Sequence, residues 1–294
     1  MLDIIENKID DILSLLENVG YFLINEQQKH EYKTYKKKDG SLLTDLDIAS
    51  EVIIKNELNS LFGDVKILSE ENTFEENVNI AKEKYFFLLD PIDGTASFTK
   101  GGDFTINLAF CVDKKPVVGF IHNPSKGVII CGNEHRAFKK QSGKIIKLEK
   151  LISPDKYDRI IDNNQPPLRV VIGKHCFNDK EFVDCLVEEI RKYGYNFSKY
   201  SIKQASAMGK LLAFINNDTD CFLTANVCKS WDILPAVPIL TAINGYNNMQ
   251  NKYVYENNTF HCGSFIVANN EELLSDLMEI STKLPHKFIS EINV

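Results

Sequence analysis

The six residues Asp90-Pro91-Ile92-Asp93-Gly94-Thr95 carry the densest chemistry in the chain. They set two carboxylates just beyond an apolar run, Tyr85-Phe86-Phe87-Leu88-Leu89, that reads as a buried strand. Pro91 fixes one backbone angle between the acids, and Gly94-Thr95 can turn the chain so that its N–H groups face outward to receive an anion. Carboxylates for a hard cation beside bare amides for a phosphate point to hydrolysis of a phosphate ester.

Three other acidic segments belong with it: Thr44-Asp45-Leu46-Asp47, Ser69-Glu70-Glu71 and Ser230-Trp231-Asp232. Each falls where a strand or helix begins or ends. Magnesium takes oxygen ligands in octahedral geometry and keeps several waters, so carboxylates gathered from separate segments suit it. Alone, Asp-x-x-Asp-Gly is a common turn with solvated carboxylates. An EF-hand starting at Asp90 is excluded, because Ile92, Gly94 and Gly101 stand where its calcium-binding groups would have to be.

The elements that must position these residues fall into two halves. Leu2 to Gln28 reads as one long helix, with an interruption expected near Gly20, and Thr44 to Leu61 as a second, capped by Thr44 or Asp45. A polar loop, Lys36 to Ser41, joins them. From Lys66 the pattern changes to strand-length apolar runs at 66–68, 85–89, 104–112, 117–122, 127–131 and 136–140, an antiparallel meander packed on the two helices. The proline- and asparagine-rich stretch 153–167 marks a subdomain boundary, placed between residues 155 and 156. Beyond it strands at 168–172, 196–200 and 221–224 alternate with helices at 179–193, 205–216, 232–244 and 271–284, an α/β half. Subdomain 1–155 then carries most of the acids, and 156–294 contributes Asp232.

With 294 residues and 44% hydrophobic content, the chain can bury a core without staples. Its seven cysteines contain no CxxC pair and read as reduced, mostly buried thiols. The acidic N-terminal helix is unlike a signal peptide, and no run of 18 apolar residues is present to span a membrane. A cytoplasmic protein is the expectation. A net charge of −7 disfavours a nucleic-acid polymer as partner but leaves a small phosphorylated substrate open.

Taken together, the order and wording of the four acidic segments resemble the magnesium-dependent, lithium-sensitive phosphatase superfamily of inositol monophosphatases, fructose-1,6-bisphosphatases and 3'(2'),5'-bisphosphate nucleotidases. The Asp-Pro-Ile/Leu-Asp-Gly-Thr signature stands unbroken at Asp90 to Thr95; Thr44 and Asp47 match the upstream Thr-x-x-Asp, Glu70-Glu71 the Glu-Glu, and Trp231-Asp232 the Trp-Asp. The resemblance spans roughly residues 37 to 245 and implies a sandwich of alternating α-β-α-β-α layers. It implies that Glu70, Asp90 and the carbonyl of Ile92 hold one magnesium ion, and Asp90, Asp93 and Asp232 a second, with a third ion as an option. The amides of Gly94 and Thr95 would hold phosphate, while the Thr95 hydroxyl, Asp47 and Glu70 would act on the attacking water. Two such ions (~3.5–4 Å apart) would lower the pKa of that water and neutralise the leaving oxygen, with no covalent intermediate. Dimers are common in the superfamily, so a homodimer is a further expectation.

The segment Phe104-Thr105-Ile106-Asn107-Leu108-Ala109, followed by Pro116-Val117-Val118-Gly119, resembles the bisphosphate nucleotidase branch. Removal of the 3'-phosphate of adenosine 3',5'-bisphosphate is therefore the expected reaction. The alternatives are an inositol or broad sugar phosphatase and, from a different class, a non-catalytic phosphometabolite-binding protein. Lys210 aligns with that branch while its neighbours Ser206 to Gly209 depart from it, and Lys37 matches a lysine that precedes a loop over the metals. Both are expected substrate contacts. Pro235 and Pro238 also depart from the usual helix after Trp-Asp.

Overall fold

The computed structural model describes residues 2–38, 40–151 and 167–285. The boundary expected between residues 155 and 156 lies outside them. Five layers alternate. The first is the helices Ile9–Lys29 and Asp45–Phe62, and the second a seven-stranded sheet running from Lys66–Ser69 at one edge to Lys144–Lys147 at the other. The helices Ala207–Ile215 and Ala236–Ala242 form the third layer. A five-stranded sheet is the fourth, and the helices Lys180–Lys192 and Glu271–Ser281 cover its far face.

The strand Tyr85–Asp93 shows why this stacking forms. Its side chains alternate between two cores: Phe87 and Leu89 pack toward the N-terminal helices, Phe86 and Leu88 toward the middle helices. A strand buried on both faces must be apolar throughout. Each of these side chains contributes roughly 1.5–3 kcal/mol by leaving water.

The seven-stranded sheet is mixed rather than purely antiparallel. Lys66–Ser69 pairs parallel with Tyr85–Asp93, Ser69 lying opposite Leu89. The remaining pairs are antiparallel, as the meander of short turns predicts. A small hairpin, Thr34–Lys36 with Leu42–Thr44, flanks the polar loop expected at Lys36 to Ser41, taking only Lys36 from it.

Two helices differ from expectation for identifiable reasons. The N-terminal helix breaks at Lys8, not at Gly20, which stays helical because its missing side chain makes room for the His122 ring. The helix expected at 232–244 is two short ones, Ser230–Ile233 and Ala236–Ala242, parted at Pro235, whose ring nitrogen has no proton to continue the ladder.

Candidate active site

Glu70 and Asp90 meet because their strands run in parallel. With Ser69 opposite Leu89, the next residue of each chain emerges at the same sheet end, and the Glu70 N–H donates to the Leu89 carbonyl at 3.2 Å. Carboxyl ends of adjacent parallel strands are where open α/β sheets hold ligands. At Pro91 the ladder slips: Asp90 faces Asn107 and Asp93 faces Thr105, so Tyr85–Asp93 carries one extra residue. Such a bulge tolerates a proline and re-aims the side chains beside it. Asp232 arrives on the helix Ser230–Ile233, its Oδ2 accepting the Lys229 N–H at 2.8 Å.

One carboxylate oxygen each from Glu70, Asp90 and Asp232 lies within 4.8 Å of the other two. An all-oxygen donor set of this kind fits a hard divalent cation. Burial, then the neighbouring charges of Glu70, Asp93, Asp232 and Asp47, push the Asp90 carboxyl well above its ordinary pKa. Asp232 is raised in the same way by burial and by Asp93. Three converging acids, Asp90 buried and Glu70 and Asp232 half-buried, are an unfavourable arrangement for a protein without a cation and a favourable one with it.

Asp93 stands beside this triad instead of within it. Its Oδ2 accepts from Thr105 Oγ1 at 3.1 Å and from Asn107 Nδ2 at 3.4 Å. Burial raises its carboxyl, and those two donors and Lys210 pull it partly back. Thr105 and Asn107, two apart on one strand face, were not singled out by their residue types. Period-two alternation in Thr105–Val112 is the signal that aligns them with the site.

Asp47 caps its own helix: Thr44 donates to Oδ2 through N–H at 2.7 Å and through Oγ1 at 2.6 Å. Its other oxygen faces Thr95 Oγ1 at 3.3 Å, and that hydroxyl also lies 3.0 Å from the Ile92 carbonyl. Burial raises the Asp47 carboxyl despite the Thr44 bonds. Gly94, at φ +90°, makes the left-handed turn that starts the helix Thr95–Phe98, a conformation open to glycine at little cost.

The lysines are placed unlike one another. Lys37 Nζ bridges Glu70 and Glu71, 2.9 Å from each, and Lys229 Nζ approaches Glu70 at 3.9 Å. Burial opposes the Lys37 charge, but the two glutamates outweigh it and hold the ammonium above its ordinary pKa. Burial pushes the Glu71 carboxyl up to about 7 against the pull of Lys37. Lys210, 5% exposed, lines a cavity of about 230 Å³ that also touches Asp93, Asn107 and Asp232. Burial lowers its pKa, opposed by Cys228, Asp93 and Cys176.

The inositol monophosphatase family profile matches residues 13–283. The chain belongs to the inositol monophosphatase family. It is similar to a 3'(2'),5'-bisphosphate nucleotidase, CysQ, of Shigella flexneri, 30% identical over 183 residues that cover 61% of this chain and 70% of the relative. Among solved structures, the IMPase of Thermotoga maritima superposes with a TM-score of 0.65 at 21% identity, covering 95% of this chain and all of that one. An IMPase/NADP phosphatase complexed with Mg2+ and phosphate gives 0.65 at 19%, over 93% and 94% of the two chains. As a family member with nucleotidase relatives, the chain is a phosphoric monoester hydrolase. Among its described residues no helix is long and apolar enough to cross a membrane.

Proposed function

We propose that this hydrolase is a magnesium-dependent, lithium-sensitive 3'(2'),5'-bisphosphate nucleotidase that converts adenosine 3',5'-bisphosphate to AMP and phosphate. The observation that carries the chemistry is the Glu70–Asp90–Asp232 triad, whose oxygens converge within 4.8 Å. Similarity to a bisphosphate nucleotidase supports the substrate, and a solved relative bound to Mg2+ and phosphate supports the metal.

Glu70, Asp90, the Ile92 carbonyl, Asp93 and Asp232 would hold divalent cations. These supply a water of lowered pKa and positive charge for the leaving oxygen. The chain's own part is orientation. Asp47, immobilised by Thr44, accepts the Thr95 proton and leaves Thr95 Oγ1 lone pairs to receive a proton from the attacking water. The amides of Gly94 and Thr95, at the opening of the helix Thr95–Phe98, can donate to phosphate oxygens. Lys37, seated on Glu70 and Glu71, holds that acidic edge in place beside the substrate. Lys210 offers a buried positive charge to the part of the substrate that does not react. Seven cysteines with no disulfide among the described residues, five of them buried, accord with a cytoplasmic setting.

A substrate panel with and without Mg2+ tests this. Adenosine 3',5'-bisphosphate should exceed inositol 1-phosphate in kcat/KM by at least tenfold. The reverse preference would reject the nucleotidase assignment in favour of an inositol or sugar phosphatase. Absence of any magnesium-stimulated phosphate release would leave a phosphometabolite-binding protein.

A further inference from the structure

Asn107 lies directly opposite Asp90 in the sheet and is 2% exposed. Its Nδ2 donates to two acceptors brought from distant parts of the chain, Asp93 Oδ2 at 3.4 Å and the Asp232 main-chain carbonyl at 3.3 Å. A carboxylate and a carbonyl only accept, so the amide can face them only through its nitrogen. The reverse orientation would set oxygen against oxygen twice. As a consequence Asn107 Oδ1 is turned away, buried and without a partner, in a residue that lines the cavity shared with Lys210. An unpaired buried acceptor is unfavourable, and its presence needs a compensating role.

We propose that Asn107 is a positioning residue for the cation centre: its two donor bonds pin the Asp232 segment against Asp93, setting the spacing of the carboxylates from which the cation is held. The proposal rests on the metal-dependent reading above. Asp93 has a second donor in Thr105, whereas Asn107 joins Asp93 directly to the Asp232 backbone. Groups that orient metal ligands typically carry 10–100-fold of metal affinity or activity.

The experiment compares Asn107→Ala with the near-isosteric Asn107→Leu, which also removes the unpaired oxygen, and with Thr105→Val, which takes a donor from Asp93 alone. Mn2+ binding to the metal-free proteins is followed by electron paramagnetic resonance, with melting in EDTA and the Mg2+ dependence of kcat measured alongside. Both Asn107 variants should bind Mn2+ about 10–100-fold more weakly and recover much of their kcat as Mg2+ is raised. Thr105→Val should lose less. A purely structural asparagine would lower the melting temperature and leave Mn2+ affinity intact; a folded Asn107→Leu within twofold of wild-type affinity therefore overturns the proposal while the metal reading survives. Failure of the wild-type protein to bind Mn2+ would overturn both.

Discussion

Thr95 and Asp47 meet through a hydroxyl and a carboxylate oxygen 3.3 Å apart, the first from the turn after the acidic strand, the second from the opening of a helix. Asp47 has its other oxygen fully engaged by Thr44, so its free oxygen has a fixed direction. Thr95→Val keeps the volume and removes the hydroxyl. Turnover should fall roughly 10²–10⁴-fold, the range for a lost acid–base group, with cation affinity little changed. A variant retaining more than a tenth of wild-type kcat would remove Thr95 from the water-handling role.

Asp90 is opposed from several sides: burial first, then four neighbouring carboxylates, raise its pKa well above the ordinary value. The sign follows from proton counting. Above the unfolded-state pKa the folded, metal-free protein binds a proton that the unfolded chain has already released, so stability falls as pH rises toward the folded value. Asp90→Asn removes that penalty. In EDTA the variant should be more stable than wild type at pH 8, by a margin that shrinks toward pH 4, and should have no turnover at any pH. Equal denaturation midpoints at pH 8 would show that the acids are not in conflict.

Much of this site was legible because its acids sit at element ends. Asp47 behind a Thr44 cap lies where the sequence predicts; Asp90 follows the five expected apolar residues, but the strand runs on through Asp93 by way of the bulge instead of ending before it. Non-local geometry was not legible. No pattern announces that 66–69 pairs parallel with 85–93, although that pairing alone brings Glu70 beside Asp90. The edge strands Thr34–Lys36 and Lys144–Lys147 escaped because every residue in them is exposed and no apolar alternation exists. The strand His261–Ala268 escaped for another reason: Gly263, at φ +77°, and a bulge opposite Cys228 interrupt its period. The strand expected at 196–200 is displaced, and Ile202–Gln204 pairs in its place.

Gly119 sets how closely the two halves approach. Its α-carbon faces the helix Ala236–Ala242, and an added Cβ would collide with the Pro235 carbonyl and press on the Pro238 ring at 3.2 Å. That helix follows Asp232 within four residues. Gly119→Ala should therefore destabilise the fold by about 1–3 kcal/mol, the usual range for overpacking. It should also raise the Mg2+ concentration needed for half-maximal activity, since Asp232 moves with the helix. Wild-type melting and wild-type Mg2+ dependence together would show that the contact is soft.

His122 gives the fold an acid limit of its own. The ring is 4% exposed, and its Nδ1 lies 2.9 Å from the Leu16 carbonyl, so Nδ1 carries the proton and donates. Burial pushes its pKa down to about 4, with the Leu16 carbonyl and Glu17 resisting and Lys140 adding to the fall. Between the unfolded value near 6.5 and the folded value, the unfolded chain binds a proton that the folded one refuses. Stability is thus fully present above about pH 6.5 and declines as pH drops toward 4, by about 3 kcal/mol at roughly 1.4 kcal/mol per pKa unit. His122→Gln has no such titration. The wild-type advantage over His122→Gln in unfolding free energy should therefore shrink by that amount between pH 7 and pH 4, measured by denaturant titration in saturating Mg2+ to quiet the acidic site. Parallel pH profiles for the two proteins would show that the imidazole is solvated in the folded state.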